Sequence, residues 1–319
     1  MTVFALREDA PKTVFLGVEV YSFGFHVALG LALALILLAA LLRKHKWKAG
    51  SAPLAGVLSM ACGFVLSRLF FGFMDESLGQ TMPLWAMLRV NTGGYSMMGA
   101  LIGACIGGMI AAKITKQSPA RLLDLLAPCL LVFAACERLG EGRIEEFGVS
   151  RFLSDELFKG TFLTVETDFG LRLNTFYIEA AVMVILAVVL LLDISPKRKA
   201  GDTFLLFLLL FGGAQILLES LRYDQHMTIK AYVKLQQVMA MMLLGTGIIV
   251  LAVRCWHQKK ALAIASLIAI PVCVGAGVGI EFMIDRTAVS HYLLYAAFLA
   301  VVGVLVFLGL KLRKEAAKG

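Results

Sequence analysis

Three polar residues stand at a helical spacing near the end of a long apolar stretch: Gln215, Glu219 and Arg222. Their i, i+4, i+7 spacing puts all three on one face of a helix. Glu219 could pair there with Arg222, or with Arg68 or Arg138 from other apolar stretches. The planar guanidinium of an arginine can bind a phosphodiester through two parallel hydrogen bonds. The chemistry that this spacing favours is therefore the binding of a phosphate group.

Other polar residues also stand near the ends of apolar stretches: His26, Arg68, Arg138, Glu179, Gln236, Gln237, Glu281, Asp285 and His291. An ionisable group inside a membrane is costly unless it is paired or faces water, so each of these is a functional candidate. A structural interpretation is equally open. The arginines would then extend to the aqueous surface, and the glutamate–arginine pairs would only join helices.

The elements that must position these residues are membrane-spanning helices. Of the 319 residues, 60% are hydrophobic and only 16% are charged, which is more apolar sequence than a soluble domain can bury. Uncharged stretches of about 18 residues or more are typical of helices that span a bilayer. We therefore predict an all-α integral membrane protein with about nine spans, over residues 20–42, 53–73, 95–114, 121–138, 174–193, 203–221, 233–253, 261–283 and 290–311.

The distribution of basic residues predicts the orientation of these spans. The net charge of +8 comes from lysines and arginines concentrated in short loops, which argues against a nucleic-acid partner. Five basic clusters fall on one side of the predicted bundle. The positive-inside rule makes that side cytoplasmic, with the N-terminus outside and the C-terminus inside. The candidate residues named above then lie at the outward-facing ends of the helices.

Three segments follow from this topology. Residues 1–19 form an external N-terminal segment, and residues 20–254 form a membrane domain whose external head, residues 139–173, contains a short strand near 160–166. Residues 255–319 add two C-terminal helices and a basic cytoplasmic tail. The six cysteines lie within apolar runs and form no CxxC pair, so we expect neither a metal site nor a cofactor.

Five short segments together form a recognisable order of motifs. They are SFG at residues 22–24, RLFF at 68–71, GGYSMMGALIG at 93–103, ERLG at 137–140 and QILLESLR at 215–222. In this order they resemble the bacterial prolipoprotein diacylglyceryl transferase family, over roughly residues 18–254. Gln237 resembles the glutamine that opens the next helix of that family. The final two predicted spans lie beyond the resemblance.

The resemblance implies a reaction at the outer face of the bacterial cytoplasmic membrane. A diacylglyceryl group would pass from phosphatidylglycerol, or a related anionic phospholipid, to the lipobox cysteine in the signal peptide of a preprolipoprotein, forming a thioether. Arg138 would then bind the phosphate and Arg68 would supply a second cation. The other expected substrate-binding residues are Ser96, Met98, Gly99, Glu146, Gln215, Glu219 and Arg222.

Four positions depart from the family pattern. Met98 replaces a histidine, Phe23 a tyrosine, Glu141 an asparagine, and Gln215 the first arginine of its motif. The remaining candidates for the base that removes the thiol proton are His26 and Glu141.

Two alternatives to an active transferase follow from these departures and from the helical composition. One is a catalytically impaired relative that binds anionic lipid or signal-peptide helices. A small-solute transporter is less favoured, because the sequence has no inverted repeat and no broken helix.

Overall fold

The computed structural model describes residues 12–48, 50–74, 88, 94–142, 150, 158–167, 170–222, 228–229, 233–287 and 289–318. Within these ranges the chain forms nine α-helices: α1 Ser22–Lys44, α2 Ser51–Met74, α3 Met97–Ile114, α4 Pro119–Glu141, α5 Thr175–Asp193, α6 Asp202–Leu221, α7 Leu235–Cys255, α8 Lys260–Arg286 and α9 His291–Ala316. Each predicted span coincides with one of them, so the predicted all-α membrane architecture is confirmed.

Eight of the nine helices are long and apolar enough to cross a membrane, which makes this a multi-pass membrane protein. Helix α4 is not among these eight; it is 23 residues long and carries charged residues near both ends. Its start is well defined, because the Ser118 hydroxyl accepts a hydrogen bond from the Arg121 amide (3.3 Å) and Pro119 occupies the first turn. At its other end Arg138 and Glu141 are part of the helix itself.

Three two-stranded antiparallel hairpins complete the described structure: β1 Lys12–Phe15 with β2 Val18–Tyr21, β3 Thr164–Thr167 with β4 Gly170–Leu173, and β5 Thr228–Ile229 with β6 Val233–Lys234. The strand predicted near 160–166 corresponds to β3. Residues 143–149, 151–157 and 168–169, which are 16 of the 35 residues of the predicted external head, lie outside the described residues.

The chain divides into two compact units, of which the first comprises Met1–Ile194 and Arg222–Asp224. Within it, α2 and α3 pack backbone to backbone through three glycines of α3. A Cβ atom on Gly99, Gly103 or Gly107 would lie 2.7, 2.3 or 2.1 Å from a carbonyl oxygen of α2. The glycine spacing in residues 93–103 is thus a packing feature, as small residues at four-residue intervals are in other membrane helices.

Helix α4 forms the core of the first unit, with α1, α3 and α5 packed against it. Leu125, Leu131 and Ala134 are fully buried along its length. Near its end, Gly140 allows α1 to approach closely, since a Cβ atom there would lie 2.9 Å from the Cβ of His26. The charged end of α4 is therefore enclosed by protein.

The second unit comprises Ser195–Leu221 and Gln225–Gly319. Helix α6 packs on α7, and α9 packs on both of them, while α8 packs on α7 and α9. At one end Arg313 of α9 binds Asp202 at the start of α6, with a distance of 2.7 Å between guanidinium and carboxylate. The predicted division into a membrane domain ending at residue 254 and an appended pair of helices stays a prediction.

Candidate functional site

Five charged residues meet at the end of α4 and form what we call the arginine–glutamate cluster: Glu137, Arg138, Glu141, Glu179 and Arg222. All five belong to the first unit. Arg138 has a side chain that is only 1% exposed. A buried guanidinium is tolerated only with carboxylate partners, and α4 and α5 supply them.

Two guanidiniums share the carboxylates of the cluster. The Nε of Arg138 lies 2.8 Å from Glu179 and 3.7 Å from Glu137, and its Nη1 donates a hydrogen bond to Glu141. The Nη1 of Arg222 lies 3.1 Å from Glu141 and 3.7 Å from Glu179. Glu141 and Glu179 therefore bridge the two arginines and hold them close together.

The backbone of Arg222 is fixed by a separate contact. It forms an antiparallel bridge with Ser150, whose amide donates to the Leu173 carbonyl over 2.7 Å. In return, the Ser150 hydroxyl accepts from the Leu173 amide over 2.8 Å. Because Leu173 ends β4, the hairpin before α5 sets the place of Arg222.

The Nη2 atom of Arg138 is a donor of the cluster that these ion pairs do not use. It is buried and has no hydrogen-bond acceptor within the described part of the chain. A buried donor without an acceptor is costly, so it favours an added acceptor such as a phosphate oxygen. The three carboxylates outnumber the two guanidiniums by one, and an anion would have to compete with them.

His26 lies beside this end of α4. Its Cβ approaches Gly140, as do the ring and carbonyl oxygen of Phe23. The Nδ1 of His26 lies 2.7 Å from the Ser22 carbonyl oxygen. Since a carbonyl can only accept, Nδ1 must carry the hydrogen, which leaves the Nε2 of the neutral ring as a proton acceptor. Glu141, the other base candidate, is bound to both arginines.

The predicted residues on α2 and α3 take part in a different set of contacts. Arg68 donates to the Gly94 carbonyl and lies over the Tyr95 ring, 5.1 Å from its centroid. Ser96 caps α3 by accepting from the Gly99 amide (3.2 Å), and Met98 is fully buried. Ser96 and Gly99 thus have a clear structural use, and their substrate-binding role stays a prediction.

The remaining predicted residues fall in two places. Gln215 and Glu219 are buried in the second unit, where the Gln215 amide donates to the Glu219 carboxylate over 3.2 Å. Glu146 lies outside the described residues. Within those residues, no group of three or more His, Cys, Asp or Glu side chains is arranged to hold a metal ion.

A known protein family covers most of this chain. The model of the family described as prolipoprotein diacylglyceryl transferase matches residues 11–253. The chain belongs to that family. A phosphatidylglycerol–prolipoprotein diacylglyceryl transferase of Staphylococcus haemolyticus (strain JCSC1435) is 24% identical over 196 residues, which are 60% of this chain and 69% of the relative. The protein of the same name from Staphylococcus aureus (strain MRSA252) is 24% identical over 202 residues, which are again 60% of this chain and 69% of the relative.

Membership of the prolipoprotein diacylglyceryl transferase family confirms the resemblance read from the five segments. The match ends at residue 253, so α8 and α9 lie beyond it. One member of the cluster, Glu137, escaped the sequence reasoning. Glu179 was named there as a carboxylate in the first turns of an otherwise apolar helix, where a cationic partner is expected, but its contacts with both arginines were not predicted.

Proposed function

We propose that this protein transfers a diacylglyceryl group from phosphatidylglycerol, or a related anionic phospholipid, to the lipobox cysteine of a preprolipoprotein. The proposal rests on the family and on the curated relatives, which carry that activity in their names. One observation in this chain supports it most directly. The Nη2 of Arg138 is buried, unpaired within the described residues, and next to a second guanidinium.

The reaction needs a cation at the phosphate and a base at the thiol. The cysteine sulfur attacks the carbon of the diacylglyceryl group that bears the phosphate. A C–S bond forms there, and the bond between that carbon and the phosphate oxygen breaks. Glycerol phosphate leaves with the bonding electron pair, and Arg138 with Arg222 stabilises its negative charge. The thiol proton passes to the base, for which we favour the Nε2 of His26 over Glu141.

The site is expected at the outer surface of the bacterial cytoplasmic membrane. The basic loops predict that the N-terminus lies outside and the C-terminus inside, which would put Arg138 at the level of the outer phosphates. The phospholipid donor would enter laterally from the bilayer. The acceptor would be the signal peptide of an exported preprolipoprotein, itself an apolar helix with a cysteine near its outer end.

A second candidate function is a binding protein without transfer activity. Met98, Phe23 and Gln215 stand where the family has a histidine, a tyrosine and an arginine, and the three cluster carboxylates compete with an anion for the guanidiniums. Such a protein would hold an anionic lipid or a signal-peptide helix, and no thioether would form.

The deciding experiment measures transfer of labelled diacylglycerol from phosphatidylglycerol to a lipobox peptide by the purified protein in lipid nanodiscs. The test variant is Arg138→Ala. Arg254→Ala is the matched control, because Arg254 is an exposed arginine near the end of α7. A peptide with serine in place of the cysteine controls for adsorbed lipid.

We expect the peptide cysteine to be labelled by the unaltered protein and by Arg254→Ala. Removing a charge-stabilising donor typically lowers kcat by about 10²- to 10³-fold, so Arg138→Ala should fall by at least that factor. Absence of transfer by folded, lipid-binding protein would overturn the transferase proposal and leave the binding function.

A further inference from the structure

Three exposed aromatic side chains lie around the start of α5: Phe158, Phe162 and Tyr177, which we call the aromatic patch. They are 38%, 71% and 38% exposed, and all three belong to the first unit. Single exposed aromatic residues are ordinary, but several gathered in one place mark a surface that another apolar phase covers. The aromatic patch is therefore a candidate contact surface.

Hydrogen bonds hold the two phenylalanines in a compact loop beside α5. The Thr161 hydroxyl donates to the Phe158 carbonyl over 2.7 Å. The side-chain nitrogen of Asn174, the residue just before α5, donates to the Phe162 carbonyl over 2.9 Å. The Phe162 ring then meets the Tyr177 ring edge to face, with 5.7 Å between the centroids. The loop thus keeps Phe162 against the first turn of α5.

Tyr177 lies on the exposed side of α5. Val184 and Val188, seven and eleven residues further along, are also exposed and share its face of the helix. The buried residues Glu179 and Met183 lie on other faces. Because α5 is long and apolar enough to cross a membrane, its exposed apolar face is the one that lipid chains cover. The aromatic patch continues this lipid-facing surface at the end of the helix.

The aromatic patch also has charged neighbours. Lys159, between Phe158 and Phe162 in the sequence, lies 3.6 Å from the carboxylate of Glu166, and both of these side chains are exposed. An exposed ion pair needs water, whereas exposed rings favour an apolar phase. The headgroup region of a bilayer offers both within a few ångströms, and aromatic side chains accumulate there in membrane proteins.

We propose that the aromatic patch docks on the headgroup region of the bilayer that α5 crosses, and so anchors the loop of residues 158–163 to the membrane surface. Glu179 follows Tyr177 by only two residues. The same contact would therefore hold the arginine–glutamate cluster near the depth of the lipid phosphates. The proposal concerns the surface of the protein and does not depend on transferase activity.

The test places the full chain in phosphatidylglycerol nanodiscs and uses one added tryptophan as a depth probe. Phe162→Trp is the test variant, because an exposed aromatic position accepts an indole ring. Glu166→Trp is the matched control, since Glu166 lies on the neighbouring strand β3 and its side chain is 69% exposed. The emission of the unaltered protein, which has three tryptophans, is subtracted. Quenching is measured with lipids brominated at the headgroup end of the acyl chains, and separately with iodide in the water.

We expect brominated lipid to quench Phe162→Trp at least about twofold more strongly than Glu166→Trp, and iodide to quench the two in the reverse order. Equal quenching of the two variants by iodide overturns the inference, because the loop then lies in water. Emission of Phe162→Trp that responds to an added lipobox peptide but not to brominated lipid also overturns it, and assigns the aromatic patch to the peptide. Every readout is independent of transfer, so a protein without transferase activity still decides the docking.

Discussion

The two ring nitrogens of His26, a residue near the end of α4, have different roles: Nδ1 is engaged in a hydrogen bond, and Nε2 is the nitrogen that can accept a proton. Its Nδ1 donates to the Ser22 carbonyl, so the neutral ring presents Nε2 as a lone-pair acceptor. Glu141, in contrast, is engaged by Arg138 and Arg222. At the scale of single residues, this difference favours His26 over Glu141 as the base that removes the thiol proton.

Replacing His26 with glutamine should lower the transfer rate at neutral pH by about 10²- to 10⁴-fold, the usual contribution of a general base. The loss should shrink as the pH rises, because a free thiol, with a pKa of about 8.5, then ionises without help. The measurement is the pH profile of transfer to a lipobox peptide between neutral and alkaline pH.

His45→Gln is the control for this profile. His45 follows the other end of α1, where burial together with the charges of Arg121 and Lys44 lowers the pKa of its imidazole. The ring is therefore neutral at the assay pH, and its loss should leave the profile unchanged. If His26→Gln has the same rate and profile as the unaltered protein, the base is another group.

At this scale the sequence predicted the cations better than their partners. Arg138 and Arg222 stand in recognisable motifs, whereas the contact between Arg138 and Glu179 joins residues 41 positions apart. Nothing in the local spacing of α4 or α5 specifies which faces of the two helices meet. Such a pairing depends on tertiary packing, which a single sequence does not reveal.

At the scale of elements, an ion pair between Arg138 and Glu179 joins α4 to α5. We expect Glu179→Ala to lower the free energy of unfolding by about 1 to 3 kcal/mol, because the buried Nε of Arg138 loses the carboxylate that lies 2.8 Å from it. Unfolding in a denaturing-detergent titration, followed by circular dichroism, measures this change.

Glu166→Ala is the matched comparison, because Glu166 also pairs with a cation but is 69% exposed. Its 3.6 Å contact with Lys159 is a surface ion pair, so its loss should cost at most about 1 kcal/mol. Equal effects of the two substitutions would show that Glu179 does not hold the cluster together.

The contact between α2 and α3 predicts a second effect at this scale. Gly107→Ala places a Cβ atom 2.1 Å from the Leu58 carbonyl oxygen, so the helices must separate. Overpacking of this kind costs roughly 1 to 3 kcal/mol of unfolding free energy. Gly245→Ala is the control, as its Cβ meets nothing within 4 Å. Stability that is the same for both variants would contradict the close packing of these helices.

The elements themselves were the most predictable part of the fold. All nine helices were anticipated because apolar runs of spanning length have few other structures available in a membrane. The end of α4 was placed at residue 138 and lies at Glu141, since the charged residues that end the apolar run belong to the helix. The length of an apolar run therefore underestimates the length of a helix whose terminal charged residues are paired with neighbouring side chains.

At the scale of the whole molecule, the basic loops predict an outward N-terminus and an inward C-terminus. Single cysteines introduced at Lys12 and Lys318 test this with a membrane-impermeant maleimide on intact cells. Lys12→Cys should react in intact cells, and Lys318→Cys only after permeabilisation. The unaltered chain, whose six cysteines all lie in helices, gives the background. The reverse pattern would move the cluster to the inner surface and exclude the proposed reaction at the outer one.

The charged end of α4 has a consequence for how the protein enters the membrane during synthesis. Eight helices can partition into lipid on their own composition, but α4 carries Glu137, Arg138 and Glu141 at one end. A nascent chain that stops after α4 would present these charges to lipid without Glu179. We expect α4 to wait at the insertion machinery until α5 emerges from the ribosome. The two helices would then leave together as a hairpin in which Glu179 contacts Arg138, and the cluster would be completed when Arg222 follows after α6.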